Sequence, residues 1–284
     1  MRNDTEQAGR VWFVTGGSRG FGRALAAAVL ERGERLIVTA RRQELRDDFR
    51  ERHPDALALR LDVTDRASAQ AAVAEGIERF GRLDVVVNNA GYGHFGAVEE
   101  LTDEELREQF EVNLFGVVNV TRAVLPQLRA QRSGHLVQMS SLNGIEGMVG
   151  SGYYCASKFA IEGLSESLAA EVAHLGIKVT IVEPGPHRTE FASGESARIA
   201  EPIDDYAETV GAARDAFAEM DGNQPGDPGR AALAIIAAVD AENPPLRLPL
   251  GEMALANIRA KLEDQLEELE AWRDLSSSTD LVPA

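Results

Sequence analysis

The sequence predicts an α/β fold in which helices cover both faces of a parallel sheet of about seven strands. Short apolar runs alternate with longer helical patterns from Val11 to about residue 250. A glycine-rich turn, Gly16–Gly22, follows the first apolar run and precedes the first helical pattern. The run Leu83–Val87 is almost entirely apolar, which is typical of a strand covered on both faces. These observations favour a doubly wound, Rossmann-type sheet with right-handed crossovers.

The predicted elements follow one another regularly along the chain. Strands are predicted at 11–15, 36–39, 57–61, 83–87, 135–139, 177–182 and 246–250. Helices are predicted at 20–32, 43–52, 65–80, 102–132, 153–174, 206–220 and 253–275. Residues 62–65 offer a cap for the helix that follows them. Thr102 and Glu105 have the capping-box spacing, which marks the start of the long helix 102–132.

No composition shift or internal repeat marks a domain boundary in the chain. We therefore expect a flexible N-terminus over residues 1–10 and one domain over residues 11–284. The alternation of strands and helices lapses between residues 186 and 230, where the segment 222–229 is rich in glycine and proline. Long excursions of this kind are often lids over a binding site, so 186–230 is the predicted substrate loop. A mobile surface loop is the alternative.

The C-terminal segment 253–275 is rich in alanine, leucine, glutamate and lysine. Apolar residues recur in it at helical spacing, namely Leu255, Ile258, Leu262, Leu266 and Leu269. This spacing predicts an amphipathic helix. We expect its apolar face to pack on the helix's own domain, and a contact with another subunit is the alternative.

The composition excludes several classes of function. Acidic residues outnumber basic ones by 46 to 29, and the net charge of −17 would repel nucleic acid and anionic membranes. No apolar run approaches the roughly 20 residues that span a bilayer, and the polar residues 1–7 do not resemble a signal peptide. Cys155 is the single cysteine, so a reducing, cytoplasmic location is expected. The five histidines are not spaced as metal ligands, so no metal site is expected.

Three side chains have the chemistry of a proton-transfer site. Tyr154 and Lys158 are four residues apart, so on a helix they share one face. An ammonium group beside a phenol favours the phenolate and lowers the phenol's pKa from its usual value of about 10. Ser141 could hold a substrate oxygen beside that phenol. Such a set can move a proton on or off an alcohol or carbonyl oxygen, although a Tyr–Lys pair alone also occurs on ordinary helix surfaces.

The glycine-rich turn is a candidate dinucleotide site. Gly16, Gly20 and Gly22 let the backbone approach a pyrophosphate closely, and the N-terminus of the following helix faces the anion. Their spacing, G-x-x-x-G-x-G, differs from the standard G-x-G-x-x-G fingerprint, and no Lys-Ser or Lys-Thr pair closes the run as in a P-loop. A simple tight turn is the alternative interpretation.

With these motifs in order, the sequence resembles the classical short-chain dehydrogenase/reductase family. The matching motifs are Thr15-Gly16…Gly20-x-Gly22, Asp62-Val63, Asn88-Asn89-Ala90-Gly91, Asn113, Ser141, Tyr154-x-x-x-Lys158 and Pro184-Gly185-x-x-x-Thr189. The match runs from about residue 11 to residue 190. No single motif is specific, but the set in this order is.

The resemblance implies a role for each matching residue. Tyr154 would be the general acid or base, Lys158 would bind the nicotinamide ribose and lower the phenol's pKa, and Ser141 would hold the substrate oxygen. Asn113 would kink its helix and support a water relay to Lys158, or, as the alternative, bond its own helix backbone. With Tyr154 and Lys158, the implied cofactor contacts are Gly16, Ser18, Arg19, Gly20, Phe21, Gly22, Arg41, Asp62, Val63, Asn89, Ala90, Gly91, Pro184, Gly185, His187 and Thr189.

Charge at the end of the second strand favours NADP(H) over NAD(H). An acidic residue there usually selects NAD, whereas a nearby arginine accommodates the 2′-phosphate of NADP. The strand is followed by Arg41, and Arg19 lies inside the glycine turn, with no acid between residues 38 and 42. Solvated surface arginines are the alternative, so NAD(H) stays possible.

The candidate substrate wall is mostly apolar or aromatic. Its candidates are His94, Asn143, Met148, Pro186, His187 and Phe191. Such a wall fits a hydrophobic ketone, aldehyde or secondary alcohol. The sequence therefore predicts a cytoplasmic NADP(H)-dependent ketoreductase, and the resemblance implies a homodimer or homotetramer paired through helices 102–132 and 153–174. The alternatives are a non-catalytic dinucleotide-binding sensor or scaffold, and an epimerase or dehydratase.

Overall fold

The computed structural model of the chain describes residues 9–53, 56–191 and 196–281. Its strands are β1 (Val11–Val14), β2 (Arg35–Ala40), β3 (Leu57–Arg60), β4 (Val85–Asn88), β5 (Gly93–Phe95), β6 (Gly134–Met139), β7 (Ile177–Pro184), β8 (Ala197–Ile199) and β9 (Arg247–Leu250). Its α-helices are α1 (Gly20–Glu31), α2 (Gln43–Arg52), α3 (Arg66–Phe80), α4 (Asp103–Phe110), α5 (Gly116–Gln131), α6 (Gly152–Val172), α7 (Ala212–Met220), α8 (Pro228–Asp240), α9 (Glu252–Ala271) and α10 (Arg273–Ser277). Most of the predicted flexible N-terminus, residues 1–8, lies outside the described residues.

A parallel seven-stranded sheet in the order β3-β2-β1-β4-β6-β7-β9 forms the centre of the protein. Every neighbouring pair in it is parallel. The strand order reverses between β1 and β4, and this is where ligands bind in open α/β sheets. The predicted doubly wound sheet is confirmed.

Strand β1 shows why the sheet needs helices on both faces. Its residues are all completely buried. Trp12 and Val14 pack into the core beneath α1 and α8, whereas Val11 and Phe13 pack into the core beneath α3 and α5. Successive side chains of a strand point to opposite faces, so an unbroken apolar run requires a cover on each side.

The predicted long helix 102–132 is interrupted by a π-helical turn at Glu111–Phe115. Its start is as predicted, because Thr102 and Glu105 form a complete capping box. The interruption contains Asn113, whose side chain is buried. Single π-turns inside α-helices are frequent at functional sites, so this turn directs attention to Asn113.

The excursion after β7 returns across the carboxyl end of the sheet. Strand β8 pairs in parallel with β5, which follows β4 closely in the chain. Helix α7 comes next, and its Phe217 ring stacks on Phe95 at 4.0 Å between centroids. Arg214 of α7 reaches the buried carboxylate of Glu100 at 3.1 Å. These contacts hold α7 over the segment that follows β4, at the carboxyl end of the sheet. Residues 192–195 of the predicted loop lie outside the described residues.

Helices α8 and α9 differ from the sequence prediction. Helix α8 is absent from that prediction, although Asp227 caps it and Pro228 occupies its first turn. Helix α9 buries only Ala254 and Ile258 against its own domain, and residues 262–281 are exposed throughout. The expected packing of the whole apolar face is therefore wrong. No helix in the described ranges is long and apolar enough to cross a membrane.

Two helical glycines offer a matched stability test. A Cβ on Gly22 would lie 2.4 Å from the carbonyl oxygen of Gly16 and 2.6 Å from Asn89 Nδ2, whereas a Cβ on Gly163 would meet nothing within 4 Å. Gly22→Ala should lower the free energy of unfolding by about 1–3 kcal/mol through overpacking. Gly163→Ala should raise it by about 0.5–1 kcal/mol through helix propensity. Urea unfolding measures both, and equal effects would contradict the packing of the turn.

Candidate active site

The glycine turn is fastened to the end of β4 by one side chain. The amide nitrogen of Asn89 donates to the carbonyl oxygens of Thr15 and Gly16 at 2.9 and 3.1 Å. The Thr15 hydroxyl in turn accepts from the backbone N–H groups of Asn89 and Ala90. Gly16 has a φ of +66° and Gly20 a φ of +53°, conformations that favour glycine. The turn is thus rigidly placed at the strand-order reversal.

A carboxylate already occupies the N-terminus of α1. Glu190 Oε2 accepts from the backbone N–H of Gly20 at 3.0 Å, and Oε1 pairs with Arg23 at 2.8 Å. Partial burial would raise the pKa of Glu190, but backbone hydrogen bonds and the charge of Arg23 hold it below its ordinary value. The helix N-terminus therefore holds an anion in this structure, as expected for a site that fits a pyrophosphate.

Tyr154 and Lys158 lie on the first turns of α6, facing the carboxyl edge of the sheet. Both side chains are buried, and Lys158 Nζ lies 5.7 Å from the centroid of the phenol ring. Lys158 Nζ donates to the carbonyl oxygen of Met139 at the end of β6, at 2.7 Å. Ser141 begins the short 3-10 turn Leu142–Gly144 beside them. The structure thus brings the three predicted residues together.

Burial dominates the charge state of this group. Burial raises the pKa of Tyr154 to about 12, opposed by a hydrogen bond with Ser141. Burial lowers the pKa of Lys158 to about 8, opposed by the carboxylate of Glu162. The expected lowering of the phenol's pKa by Lys158 is therefore not found in the chain itself. At neutral pH the phenol keeps its proton.

The Asn113 side chain links the segment after β4 to α6 by hydrogen bonds. Its amide nitrogen donates to the carbonyl oxygen of Tyr92 at 2.8 Å and to Ser157 Oγ at 3.0 Å. Its side-chain oxygen accepts from the Tyr92 backbone N–H at 3.0 Å. These partners lie outside the helix of Asn113, so the alternative, in which Asn113 bonds its own helix backbone, is wrong. The π-turn aims the amide at α6 and at the segment after β4.

A continuous cleft of about 1650 Å³ joins the glycine turn to Tyr154 and to α7. Its walls include most of the predicted cofactor residues, namely Gly16, Ser18, Arg19, Gly20, Phe21, Arg41, Asp62, Val63, Asn89, Ala90, Gly91, Tyr154, Lys158, Pro184, Gly185, His187 and Thr189. Ser141 and the predicted substrate residues Asn143, Met148, Pro186, His187 and Phe191 line it too. Among the predicted residues, Gly22, Asn113 and His94 lie behind the walls rather than on them.

The prediction that His94 contacts substrate is corrected by its surroundings. The side chain is buried, and its Nδ1 lies 3.1 Å from Gln109 Oε1. Gln109 Oε1 also accepts from the His94 backbone N–H at 2.7 Å. The ring therefore points from β5 into α4 instead of into the cleft. Sequence position at the end of a strand does not determine which way a side chain points.

His187 lines the cleft but has structural partners of its own. Its Nδ1 donates to the carbonyl oxygen of Gly185 at 2.9 Å, and its ring lies 5.0 Å from the ring of Phe21. The ring also packs against Gly226 so closely that a Cβ there would lie 2.5 Å away. These contacts fix the segment after β7 to the start of α1. The contact with substrate stays a prediction.

The two side chains that flank Tyr154 have other partners. The hydroxyl of Tyr153 donates to the carbonyl oxygen of Val98 at 3.0 Å, away from Lys158. Burial raises the pKa of the Cys155 thiol, and its sulfur accepts from the backbone N–H of Met148 at 3.4 Å. Both therefore hold the loops near the start of α6 against the helix.

Part of the cleft wall is not identified by the sequence patterns. The residues concerned come from α7, from the turn before it and from the start of α9, namely Val210, Ala213, Phe217, Met220 and Met253. Most of these residues lie in the segment 186–230, which the lapse in the alternation of strands and helices identifies. The side chains themselves carry no signal, because their approach to the cleft depends on contacts distant in sequence.

A buried acid pair lies behind Lys158. Glu162 is one turn farther along α6, and Glu183 is at the end of β7; both are buried. They share Arg247 of β9, whose Nε lies 3.3 Å from Glu162 and 3.5 Å from Glu183. Burial, reinforced by the charge of Glu162, raises the pKa of Glu183 to about 7. Glu183 is therefore an acidic group that titrates near neutral pH and lies behind the site.

Comparison with known proteins identifies relatives that cover most of the chain. A family model described as short chain dehydrogenase matches residues 10–199. An oxidoreductase of Botryotinia fuckeliana is 41% identical over 271 residues, which cover 94% of this chain and 98% of that protein. A 3-ketodihydrosphingosine reductase of Bacteroides thetaiotaomicron is 36% identical over 261 residues, which cover 90% and 94%.

Solved structures give the same result. A short-chain dehydrogenase from Streptomyces avermitilis has a TM-score of 0.90 and 46% identity, covering 96% of this chain and 100% of its own. A short-chain dehydrogenase/reductase from Burkholderia phymatum in complex with NAD has a TM-score of 0.81 and 25% identity, covering 92% and 95%. An alcohol dehydrogenase from Thermococcus sibiricus, complexed with 5-hydroxy-NADP, has a TM-score of 0.69 and 27% identity, covering 85% and 95%.

The acid pair predicts a pH dependence of stability. Glu183 has a pKa of about 7 in the fold against an ordinary value of 4.5, so the fold favours its protonated form. The stability that this preference contributes is complete below about pH 4.5 and is lost as the pH rises through 7. Relative to the wild type, Glu183→Gln should therefore gain about 2–3 kcal/mol of stability between pH 5 and pH 8.

Denaturant unfolding at both pH values measures this difference. Glu166→Gln is the matched control, because Glu166 also contacts Arg247, at 2.8 Å, but is 61% exposed. The control should show the wild-type pH dependence. A Glu183→Gln variant that loses as much stability between the two pH values as the wild type would contradict the shift.

Proposed function

The chain belongs to the short-chain dehydrogenase family, and we propose that it is an NADP(H)-dependent oxidoreductase that interconverts a ketone or aldehyde and an alcohol. The observation that carries this proposal is the cleft. It joins a rigid glycine turn to a wall that bears Ser141, Tyr154 and Lys158. A dinucleotide bound at the turn and a carbonyl group bound beside Tyr154 would therefore lie in the same cleft.

The chain's own residues supply binding and proton transfer, and a nicotinamide cofactor, when bound, supplies or accepts the hydride. The turn residues and the N-terminus of α1, at the place where the Glu190 carboxylate lies in this structure, would hold the pyrophosphate. Ser141 would hold the substrate oxygen, and Tyr154 would give that oxygen its proton. Because burial raises the pKa of Tyr154 to about 12, the phenol would be the proton donor when the carbonyl is reduced, and it would have to release that proton first to act as the base in the reverse reaction.

Three arginines support the preference for NADP(H). Arg19, Arg41 and Arg42 line the end of the cleft where β2 finishes. Residues 38–40 there carry no acidic side chain that could accept hydrogen bonds from a ribose. A guanidinium group matches the geometry and charge of a phosphate, so a 2′-phosphate fits this end of the cleft better than a bare hydroxyl does.

The substrate that fits this cleft is a hydrophobic ketone or secondary alcohol. The wall beyond Tyr154 includes Phe95, Met148, Phe191 and Phe217. The ring of Phe191 lies 5.6 Å from that of Tyr154, so apolar surface extends to the proton donor. The similarity to a 3-ketodihydrosphingosine reductase supports a keto group on an apolar skeleton.

The setting of the reaction is proposed from composition and family. The net charge of −17 and the single cysteine support a cytoplasmic location. The family's usual pairing through the middle helices supports a homodimer or homotetramer built on α4–α5 and α6. Small-molecule carbonyl compounds and alcohols are the proposed partners.

Removal of one hydroxyl tests the catalytic assignment. Tyr154→Phe should keep cofactor binding and lose about 10²–10⁴-fold in turnover, because general acid catalysis is lost while the ring stays. Tyr153→Phe is the matched control: its hydroxyl bonds Val98, so turnover should stay near the wild-type value. Nicotinamide absorbance with a panel of ketones and alcohols measures turnover, and fluorescence titration measures binding.

The outcomes separate the enzyme from its alternatives. Near wild-type turnover of Tyr154→Phe would overturn the assignment. Cofactor binding by the wild type without turnover of any panel member would favour the dinucleotide-binding sensor or scaffold. Substrate conversion without net consumption of cofactor would favour an epimerase or dehydratase.

Removal of one arginine tests the cofactor preference. Arg41→Ala should lower kcat/KM for NADPH by about 10- to 100-fold, the value of one charge-assisted hydrogen bond, and leave kcat/KM for NADH unchanged. Arg60→Ala is the control, because Arg60 ends the neighbouring strand β3 but does not line the cleft. Steady-state kinetics with both cofactors measures the ratio. Equal losses with NADPH and NADH would contradict a contact with the 2′-phosphate.

A further inference from the structure

Helix α9 carries an apolar stripe that its own domain leaves uncovered. The helix is anchored by Ala254 and Ile258, which pack against Leu142 and Ile145. The stripe consists of large apolar residues that are 51–64% exposed, namely Leu255, Leu262, Leu266 and Leu269. Residues three or four apart lie on one face of a helix, so the members of this stripe form a continuous surface.

A helix in this position gains little stability by itself. Isolated helices are marginal in water, and helices in proteins depend on packing of their apolar face. Beyond Lys261, every residue of α9 is exposed, so the domain contributes no packing there. The exposed leucines follow one another along one face instead of being scattered singly, and a contiguous apolar patch of this kind marks an interaction surface.

We propose that α9 pairs in an antiparallel arrangement with α9 of a second copy of this chain. The charged residues that flank the stripe are the reason for proposing a second copy as the partner. On one side lie Lys261 and Glu268, seven residues apart; on the other lie Arg259 and Glu270, eleven residues apart. Both spacings are close to whole numbers of helical turns, so each pair runs along one edge of the stripe.

A single two-fold axis brings opposite charges together along both edges of the stripe. An axis that passes between positions 264 and 265 places Lys261 opposite Glu268 of the second copy. It also places Arg259 opposite Glu270 of the second copy, a carboxylate that pairs with Arg273 of its own chain at 2.6 Å. The sequence midpoint of each pair is the same, and each pair occurs twice by symmetry. The same axis brings apolar residues of the two stripes together, with Leu262 beside the second copy's Leu266. The stripe and both charged edges are therefore self-complementary.

A lipid surface is the competing occupant, and the charges disfavour it. Membrane-surface helices carry lysine and arginine on the polar face. The polar face of α9 instead carries acidic residues at Glu263, Asp264 and Glu267, which would repel anionic lipid. The proposed pairing is also separate from α4–α5 and α6, and it does not depend on the proposed reaction.

Crosslinking of the full-length chain tests the direction of pairing. A cysteine introduced by Gln265→Cys lies at the proposed axis and should be joined to the second copy by a short bis-maleimide. A cysteine introduced by Glu252→Cys lies at the far end of the helix and should not be joined. The native Cys155 is buried, and the unmodified chain serves as the blank. Crosslinking at both positions would mean parallel pairing, and crosslinking at neither would mean no pairing; each result overturns the proposal.

Charge reversal tests the edge that holds Lys261 and Glu268. Lys261→Glu and Glu268→Lys should each weaken crosslinking at position 265 by about tenfold, because attraction becomes repulsion at two symmetric sites. The double variant Lys261→Glu/Glu268→Lys should restore it. Asp264→Lys makes the same change of charge as Glu268→Lys on the opposite face and should have no effect. Failure of the double variant to restore crosslinking, or binding of the chain to phosphatidylglycerol vesicles in place of pairing, would contradict the assignment.

Discussion

The reversal of strand order between β1 and β4 is the constraint on which the rest of the structure depends. Chain segments leave the sheet in opposite directions there, so a gap opens at the carboxyl edge. Asn89 fixes the glycine turn on one side of this gap, and Asn113 fixes the segment after β4 to α6 on the other. Hydrogen bonds from these two side-chain amides therefore set the separation of the turn and the tyrosine wall before any ligand arrives.

Burial of the reacting groups governs what the site can do. A phenol and an ammonium group taken out of water both shift toward their neutral forms. Tyr154 and Lys158 follow this rule, with pKa values moved to about 12 and about 8. Glu162 opposes the second shift, and Glu183 relieves the crowding of charge by taking up a proton. Glu162 thus supports the charge of Lys158, while Glu183, with its pKa raised to about 7, adds less than a full negative charge behind the site at neutral pH.

The sequence is informative where structure is local. The strands of the central sheet follow from apolar runs, and the start of α4 follows from the spacing of Thr102 and Glu105. The pairing of β5 with β8 and the approach of Phe217 to Phe95 are not predictable, because they join residues about a hundred or more positions apart. The assignment of His94 is wrong for a related reason: its ring direction depends on Gln109, and no pattern near His94 reveals that partner.

The start of α9 connects the outer surface of the protein to the proton-transfer site. Ala254 packs against Leu142, in the turn that Ser141 begins, and a Cβ on Gly185 would lie 3.2 Å from the backbone nitrogen of Ala254. Met253 and Asn257 line the cleft itself. The orientation of α9 therefore fixes two walls of the site at once.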